Sequence, residues 1–514
     1  MKRFLNNIRI TATLLAATML LSTSCLDKEP GSAIPEAEAM QDFNDAKQFL
    51  IGIYANMMGG SLWSGYLTIL PDLQADMVYA VDGYSNVYGD IWQWNIRPTN
   101  AEIEAVYGSL YMVIANCNFF LERIDAVIAK QTDDAAITEL DTYKGEVYAI
   151  RALCYSELLK NYCKAYDPAT AQNELGVVIR TKYSEPEEQI RASLYDSYQF
   201  VLEDLREAEE RLDPANDWYC YLRMSHGLVC ALRARVALNM QDWESAISYS
   251  SKVIDHPHDI FALSSTNVNY TSTSSYFDYM WEYDLATEVI WQIGFTTTSF
   301  GGSLGSIFLN ITTDYTYFYP DYVPAQWVLD LYTSGDGRYD AYFQQERTGY
   351  AHGLTWPLLV KYFGNQDFIN TANIFQVSMP KPFRLAEQYL IRAEAYCRQA
   401  TPNYTAASKD MATLRAARLS SGGAMTLTAD NCIEQIANER VRELYMEGFR
   451  LNDLKRWGKL YKNGEGFTRK PQTLSLEEGS SLSIKMDNPL FVWPIPQHEI
   501  ESPGSQIQPN ESNL

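Results

Sequence analysis

The chain has 514 residues, 46% hydrophobic and 20% charged, which is enough apolar material for a sizeable core and excludes global disorder. Acidic residues outnumber basic ones by 64 to 41, a net charge of −23. Such a surface repels phosphate backbones and anionic lipid, so a nucleic-acid partner is not expected. The 36 tyrosines exceed the 20 phenylalanines and 11 tryptophans, and rings with a hydroxyl suit a wet, amphipathic surface better than a dry core.

In chain order, Lys2, Arg3 and Arg9 precede an apolar run over residues 10–21, followed by Ser22, Thr23, Ser24 and Cys25. The run is too short to cross a bilayer and its flanks are those of an export signal over residues 1–24. Cys25 sits where a bacterial lipobox places its lipid-bearing cysteine. The large aliphatic residue, Leu21, is four rather than three positions before it, so the pattern is relaxed, and a plain secretory signal is the alternative. The mature chain is expected to be residues 25–514, anchored by acyl chains on Cys25, since no later segment reads as a transmembrane helix.

Three helical segments carry similar triplets: Ile150-Arg151-Ala152, Leu232-Arg233-Ala234 and Ile391-Arg392-Ala393. Ala386, Leu390, Ala393 and Cys397 fall on one helical face. After Leu238 the run 239–242 reads as a turn, with Asp242 as N-cap and a new helix from Trp243. Thr401-Pro402-Asn403 ends the third segment, and Tyr404 opens the next. Paired helices with small residues at their contact resemble degenerate tetratricopeptide repeats. The predicted fold class is mainly α, built of helical hairpins with a few short strands. Residues 288–295 and 490–493 are the strand candidates, with Trp291 and Trp493 in the core.

Long aromatic insertions are expected near 59–100, 264–320 and 462–510. A pyranose offers an apolar C–H face and a hydroxyl rim, which flat rings and Asn, Asp or Arg match. Tyr84, Tyr88, Trp92 and Trp94, with Asn95 and Arg97, form one such cluster. Tyr276, Tyr279, Trp281 and Tyr283 form a second. Tyr315, Tyr317 and Tyr319 alternate, so an extended chain points all three to one side. Packing beneath the loops is the competing role for each ring. Seven cysteines after Cys25, with no CxxC, read as small buried hydrophobes rather than a disulfide framework. None of the five histidines has a paired metal-ligand spacing; His256-Pro-His258 reads as a turn with two exposed imidazoles. No cofactor motif, nucleophile elbow or phosphate loop is present. Glu439, Glu443 and Glu447 line one helical face near Arg440, Arg442 and Arg450, which reads as a structural ion-pair network rather than an acid–base pair.

Several blocks together resemble the SusD/RagB family of Bacteroidetes surface lipoproteins. They are Leu26-Asp27-Lys28-Glu29-Pro30 after Cys25, the helix with Glu146 and Arg151-Ala152, Gly335-Asp336-Gly337-Arg338, Leu385 to Ala395, the segment from Glu439 to Arg450 with Asp453 and Arg456-Trp457-Gly458, and the close at Trp493-Pro494-Ile495-Pro496. The resemblance implies a single mostly helical domain over 25–514 with tetratricopeptide-like hairpins. It also implies outer-membrane, cell-surface location and capture of an oligosaccharide or polysaccharide as a lid over a SusC-like TonB-dependent transporter, without catalysis. Peptide capture on the same architecture, a glycan-cleaving enzyme and a tetratricopeptide adaptor are the alternatives.

Overall fold

The computed structural model describes residues 39–81, 83, 85–183, 189–310, 317–349, 355–469 and 482–514. Residues 1–38, with Cys25, lie outside them, as do Tyr84 and Tyr315.

Helices dominate. Asp42 opens the helix Phe43–Met57 with a capping box through Asp45, and Asn100 and Asp133 cap the two longest helices, Ala101–Ile128 and Asp134–Tyr162. The C-terminal half of Asp134–Tyr162 is buried on nearly every face, because the chain packs Ala101–Ile128 and Leu194–Glu209 against it. His226–Met240 pairs with Trp243–Ile254, and Leu385–Arg398 packs on both Trp243–Ile254 and Tyr404–Ala416. The predicted cap stands, Ser245 N–H donating to Asp242 (3.1 Å), and Asn403, read as part of a helix break, caps the helix that follows it by accepting from Ala406 N–H (3.0 Å).

The three repeated arginines play equivalent roles. Arg151 forks onto Asp204 at 2.7 and 2.8 Å, Arg392 onto Asp410 at 2.7 and 2.8 Å, and Arg233 reaches Glu209 at 2.9 Å. Each ties its helix to a neighbour through a charge-assisted bond.

Four two-stranded antiparallel sheets complete the described fold: Val78–Ala80 with Tyr322–Pro324, Val289–Trp291 with Phe383–Arg384, Phe343–Arg347 with Thr355–Leu359, and Phe467–Arg469 with Leu482–Ile484. The strand expected over 288–295 is thus only three residues long. Residues 490–493 are not a strand, since Pro489–Phe491 forms a 3-10 turn capped by Asn488. The region 59–100 is not an open loop either: it holds the helix Tyr66–Gln74 and is largely buried. Trp291 and Trp493 are core, as expected.

Beneath the insertions lies a buried ionic network. Arg338 donates to Glu439 (2.7 Å) and Glu443 (3.0 Å), and Arg384 to Glu288 (2.6 Å), Glu443 (2.9 Å) and Glu447 (2.7 and 2.9 Å). Arg418 donates to Glu288 (2.8 and 2.9 Å) and Glu443 (2.9 Å). Burial pushes the Glu439 carboxyl up, but the guanidiniums of Arg338, Arg442 and Arg415 outweigh it and hold it at about 2. The expected network therefore exists with partners mostly far along the chain. Of the three local arginines, Arg442 pairs with Glu439, whereas Arg440 turns to Asp453 (2.6 Å) and Arg450 to Asp76 (2.8 and 2.9 Å).

Six of the seven described cysteines are buried, Cys220 is partly so, and all are free. The two-imidazole turn needs correction. His258 is exposed, but His256 is buried with Nε2 at 3.0 Å from Asp217, whose carboxylate also accepts the N–H groups of His226 and Gly227.

Candidate functional site

The second aromatic cluster forms a short helix, Tyr276–Glu282, opened by a Ser275–Asp278 capping box. Helical geometry splits its rings between two faces. Phe277, Met280 and Trp281 turn inward onto the ionic network: the Arg418 guanidinium lies 4.4 Å from the Phe277 ring centre, and the Lys361 ammonium 4.2 Å from that of Trp281. Trp281 is 5% exposed. It was expected to face ligand; it is instead a hydrophobic and cation–π cover over Lys361.

Tyr276, Tyr279 and Tyr283 turn outward. Tyr279 and Tyr283 stack at 4.8 Å with 28° between their planes, and Tyr270 meets Tyr279 edge-on at 4.8 Å. Tyr276 is 49% exposed. Beside these rings is a recess of about 420 Å³ lined by Tyr219, Leu263, Val268, Tyr276, Tyr279 and Leu285, within the size range of small-ligand sites. Trp218, 55% exposed, stacks on Tyr219 at 5.1 Å. The network holds this surface in place. Arg418 donates to the Ser264 carbonyl, Ser264 N–H to Glu288 (2.8 Å), and Thr266 hydroxyl to the Arg418 carbonyl (2.8 Å).

On the other flank of the same helix a polar cleft of about 330 Å³ is lined by Asp278, Glu282, Asp340, Gln344, Lys361 and Gln366. The Tyr270 hydroxyl donates to Glu282, so burial and that carboxylate raise the phenol. The arrangement offers an aromatic face with a hydroxyl and carboxylate rim, able to bind and orient a polyhydroxylated ligand.

The first cluster does not form the expected platform. Trp92 is 2% and Trp94 7% exposed. Trp92 ends a one-turn helix, Gly89–Trp92, and Trp94 adopts a left-handed conformation (φ 57°), so strand alternation does not apply. The Trp92 indole N–H donates to the Val78 carbonyl (3.3 Å) and that of Trp94 to the Gln74 carbonyl (2.6 Å), while the Trp94 ring packs edge-on against Phe491 at 4.9 Å. Asn95 and Arg97 stay exposed without the aromatic face they were expected to rim; Asn95 reaches Asp90 at 3.4 Å.

Tyr88 is half-buried, meets Tyr66 edge-on at 5.7 Å, and is pushed up to about 12 by burial and then by Tyr66, Glu102 and Asp321. Its loop joins the third cluster: Ser85 donates to Asp321 (2.6 and 3.1 Å) and the Tyr322 hydroxyl to the Val87 carbonyl (2.5 Å). Tyr317 and Tyr319 are half-buried there. Arg347 lies 5.0 Å from the Tyr317 ring centre, and the Tyr319 ring occupies the space a Cβ at Gly349 would fill. The loop of Tyr88 thus meets the segment that follows Tyr317 and Tyr319, separate in the chain from the Tyr279 array.

Tyr219 and Tyr270 were not singled out in the sequence. Reading Ser275-x-x-Asp278 as a capping box would have set the helical spacing of Tyr276, Tyr279 and Tyr283; nothing local in the sequence joins Tyr219 to them. One group of metal-ligand type occurs among the described residues, Glu209, His226 and Cys230, with ligand atoms within 4.8 Å of one another. Glu209 already accepts from Lys252 (2.7 Å), Arg233 (2.9 Å) and Tyr249 (3.2 Å), and burial pushes the Cys230 thiol up to about 12, so ion pairs fill the group.

Two family models cover most of the chain: one described as the SusD family matches residues 307–511, and one described as starch-binding, associating with the outer membrane, matches residues 25–238. The chain belongs to the SusD/RagB family. A curated SusD-like protein, P38 of Formosa agariphila, is 25% identical over 48% of this chain and 45% of that protein, so the match spans under half of the relative's length. A SusD superfamily structure from Bacteroides thetaiotaomicron superposes with a TM-score of 0.76 at 22% identity, over 91% of this chain and 99% of that one. A structure described as a laminarin-binding SusD-like protein gives 0.66 at 20%, over 92% and 99%. At these identities the structures share the SusD fold. No described helix is long and apolar enough to cross a membrane.

Proposed function

We propose that this SusD/RagB protein captures a glycan on the Tyr270–Tyr276–Tyr279–Tyr283 surface and delivers it to a SusC-like TonB-dependent transporter, binding without turnover. The observation that carries the reading is the partly exposed tyrosine array, with Tyr279 stacked on Tyr283 and Tyr270 edge-on to Tyr279, beside a recess and with carboxylates on its other flank. Pyranose C–H faces pack on such rings, and hydroxyls bond to such rims. The laminarin-binding description of one structural neighbour supports the same class of ligand. In this reading Cys25 carries the lipid that holds the protein at the outer-membrane surface.

The test is affinity electrophoresis or calorimetry on soluble laminarin and starch with the Tyr279→Ala, Tyr283→Ala double variant. Two ring contacts at about 0.5–1.5 kcal/mol each predict a loss of affinity between about fivefold and about 150-fold. Unchanged affinity in a folded double variant excludes this surface and moves the site to Tyr88, Tyr317 and Tyr319.

Peptide capture is favoured by one feature, a largely apolar hollow of about 550 Å³ lined by Ile51, Tyr54, Met58, Leu222, Ile293 and Phe295. It suits aliphatic side chains better than sugar hydroxyls. Tight binding of peptides with none of glycans would decide for it.

A further inference from the structure

The glycan reading above leaves open which chemical class of glycan the surface takes. We infer that the tyrosine recess selects uncharged saccharides and discriminates against glycans bearing carboxylate or sulfate groups, because among the described residues no accessible cation lines it and carboxylates flank it.

The recess is lined by rings, aliphatic side chains, serines, a threonine and an alanine, with no charged side chain. On the opposite flank of the helix Tyr276–Glu282 the cleft carries Asp278, Glu282 and Asp340. Glu282 lies at the hydroxyl end of Tyr270, the ring whose edge meets Tyr279, so its charge sits within about one ring length of the array. The cleft's one cation among the described residues, Lys361, is buried and committed: its ammonium donates to Glu447 (2.5 Å) and the Tyr445 carbonyl (2.9 Å) and is covered by Trp281. Arg418, Arg384 and Lys381, which also lie under this helix, are buried and paired with Glu443, Glu288, Glu447 and Asp284.

A uronate or sulfate here would lose its water without gaining a cation, and would be repelled by the Glu282 carboxylate at the hydroxyl end of Tyr270. Neutral hydroxyls suffer neither effect. They can donate to Glu282 and Asp340 and accept from tyrosine hydroxyls. Specificity of this kind arises from repulsion of the wrong ligand as much as from attraction of the right one.

The experiment uses one neutral gluco-oligosaccharide and the same oligosaccharide oxidised at C6 to the uronate, titrated into the mature protein at 50 and 300 mM NaCl. The neutral form is expected to bind with an affinity insensitive to salt. The oxidised form should bind at least tenfold more weakly at low salt, with the gap narrowing as salt screens the repulsion. In the Glu282→Gln, Asp340→Asn double variant the ratio between the two ligands should shrink at least threefold. Equal or tighter binding of the oxidised form, weakened by salt, overturns the inference while leaving glycan capture standing. A ratio unmoved by the double variant overturns it as well. Binding of neither form at millimolar concentration, with the fold intact, contradicts the glycan reading itself, and this inference falls with it.

Discussion

Replacing Glu443 with glutamine probes the ionic network on which the tyrosine surface rests. The carboxylate is fully buried and accepts from Arg338 (3.0 Å), Arg384 (2.9 Å) and both Nε and Nη2 of Arg418 (2.9 Å each). Glutamine keeps the shape, but it removes the charge and turns an amide N–H₂ toward guanidinium donors. Removing one partner of a buried ion pair costs about 3–5 kcal/mol, because the remaining charges stay desolvated. At about 2 cal/mol/K per residue, the unfolding entropy of a chain this long is about 1 kcal/mol/K, so the midpoint should fall by about 3–5 °C. Arg418 also holds the Ser264 carbonyl, so the recess should loosen along with the network. Differential scanning calorimetry of wild type and Glu443→Gln at pH 7 measures the shift, and glycan titration at 20 °C reads the recess. A midpoint unchanged within about 1 °C would refute the argument that this carboxylate neutralises the three guanidiniums.

The Trp94→Ala variant should lose about 3–5 kcal/mol of stability, as core tryptophans do, while glycan affinity at 20 °C stays as in wild type. Lost affinity with an unchanged melting midpoint would show that the ring contacts ligand after all. Asp72 accepts from the N–H groups of Gly448 (2.9 Å) and Arg450 (2.7 Å), and burial, only partly opposed by those bonds, raises its carboxyl to about 7. Between about pH 4 and 7 the folded state holds a proton that the unfolded state has released. This group therefore contributes stability at low pH that is lost as pH rises through about 7, up to about 4 kcal/mol in all. Asp72→Asn should abolish that slope relative to wild type in urea titrations across this range, and an identical slope would contradict it. Glu439, held at about 2, acts in the opposite direction. Its contribution is present above about pH 4.5 and lost as pH falls toward 2, so Glu439→Gln should flatten the acid limb of the stability curve.

Much of the scaffold was legible because its signals are local. Asp242 and Asn403 cap helices as their types and positions suggest, and the repeated Arg151, Arg233 and Arg392 each reach a carboxylate on an adjacent helix. The carboxylate face of Glu439, Glu443 and Glu447 was visible, but its main partners were not, since Arg338 and Arg384 lie scores of residues away. The site was harder to read because a ring's direction depends on local backbone state. Trp92 and Trp94 would share a face in a strand, but a one-turn helix and a positive φ turn both rings inward. In residues 276–283 extended and helical readings assign opposite roles to Trp281: the observed helix places it beside Phe277 over buried cations and leaves Tyr276, Tyr279 and Tyr283 outside. Tyr219 joins the recess only through tertiary packing.

In the proposed function sugar rings sit on the tyrosine array. A crystal structure of the mature protein with a bound neutral oligosaccharide tests it most directly. The expected complex has a pyranose face against Tyr279 or Tyr283, with hydroxyls directed toward Tyr270 and Glu282. A sugar seated instead between Tyr88, Tyr317 and Tyr319, with the recess beside Tyr276 and Tyr279 empty, would contradict it.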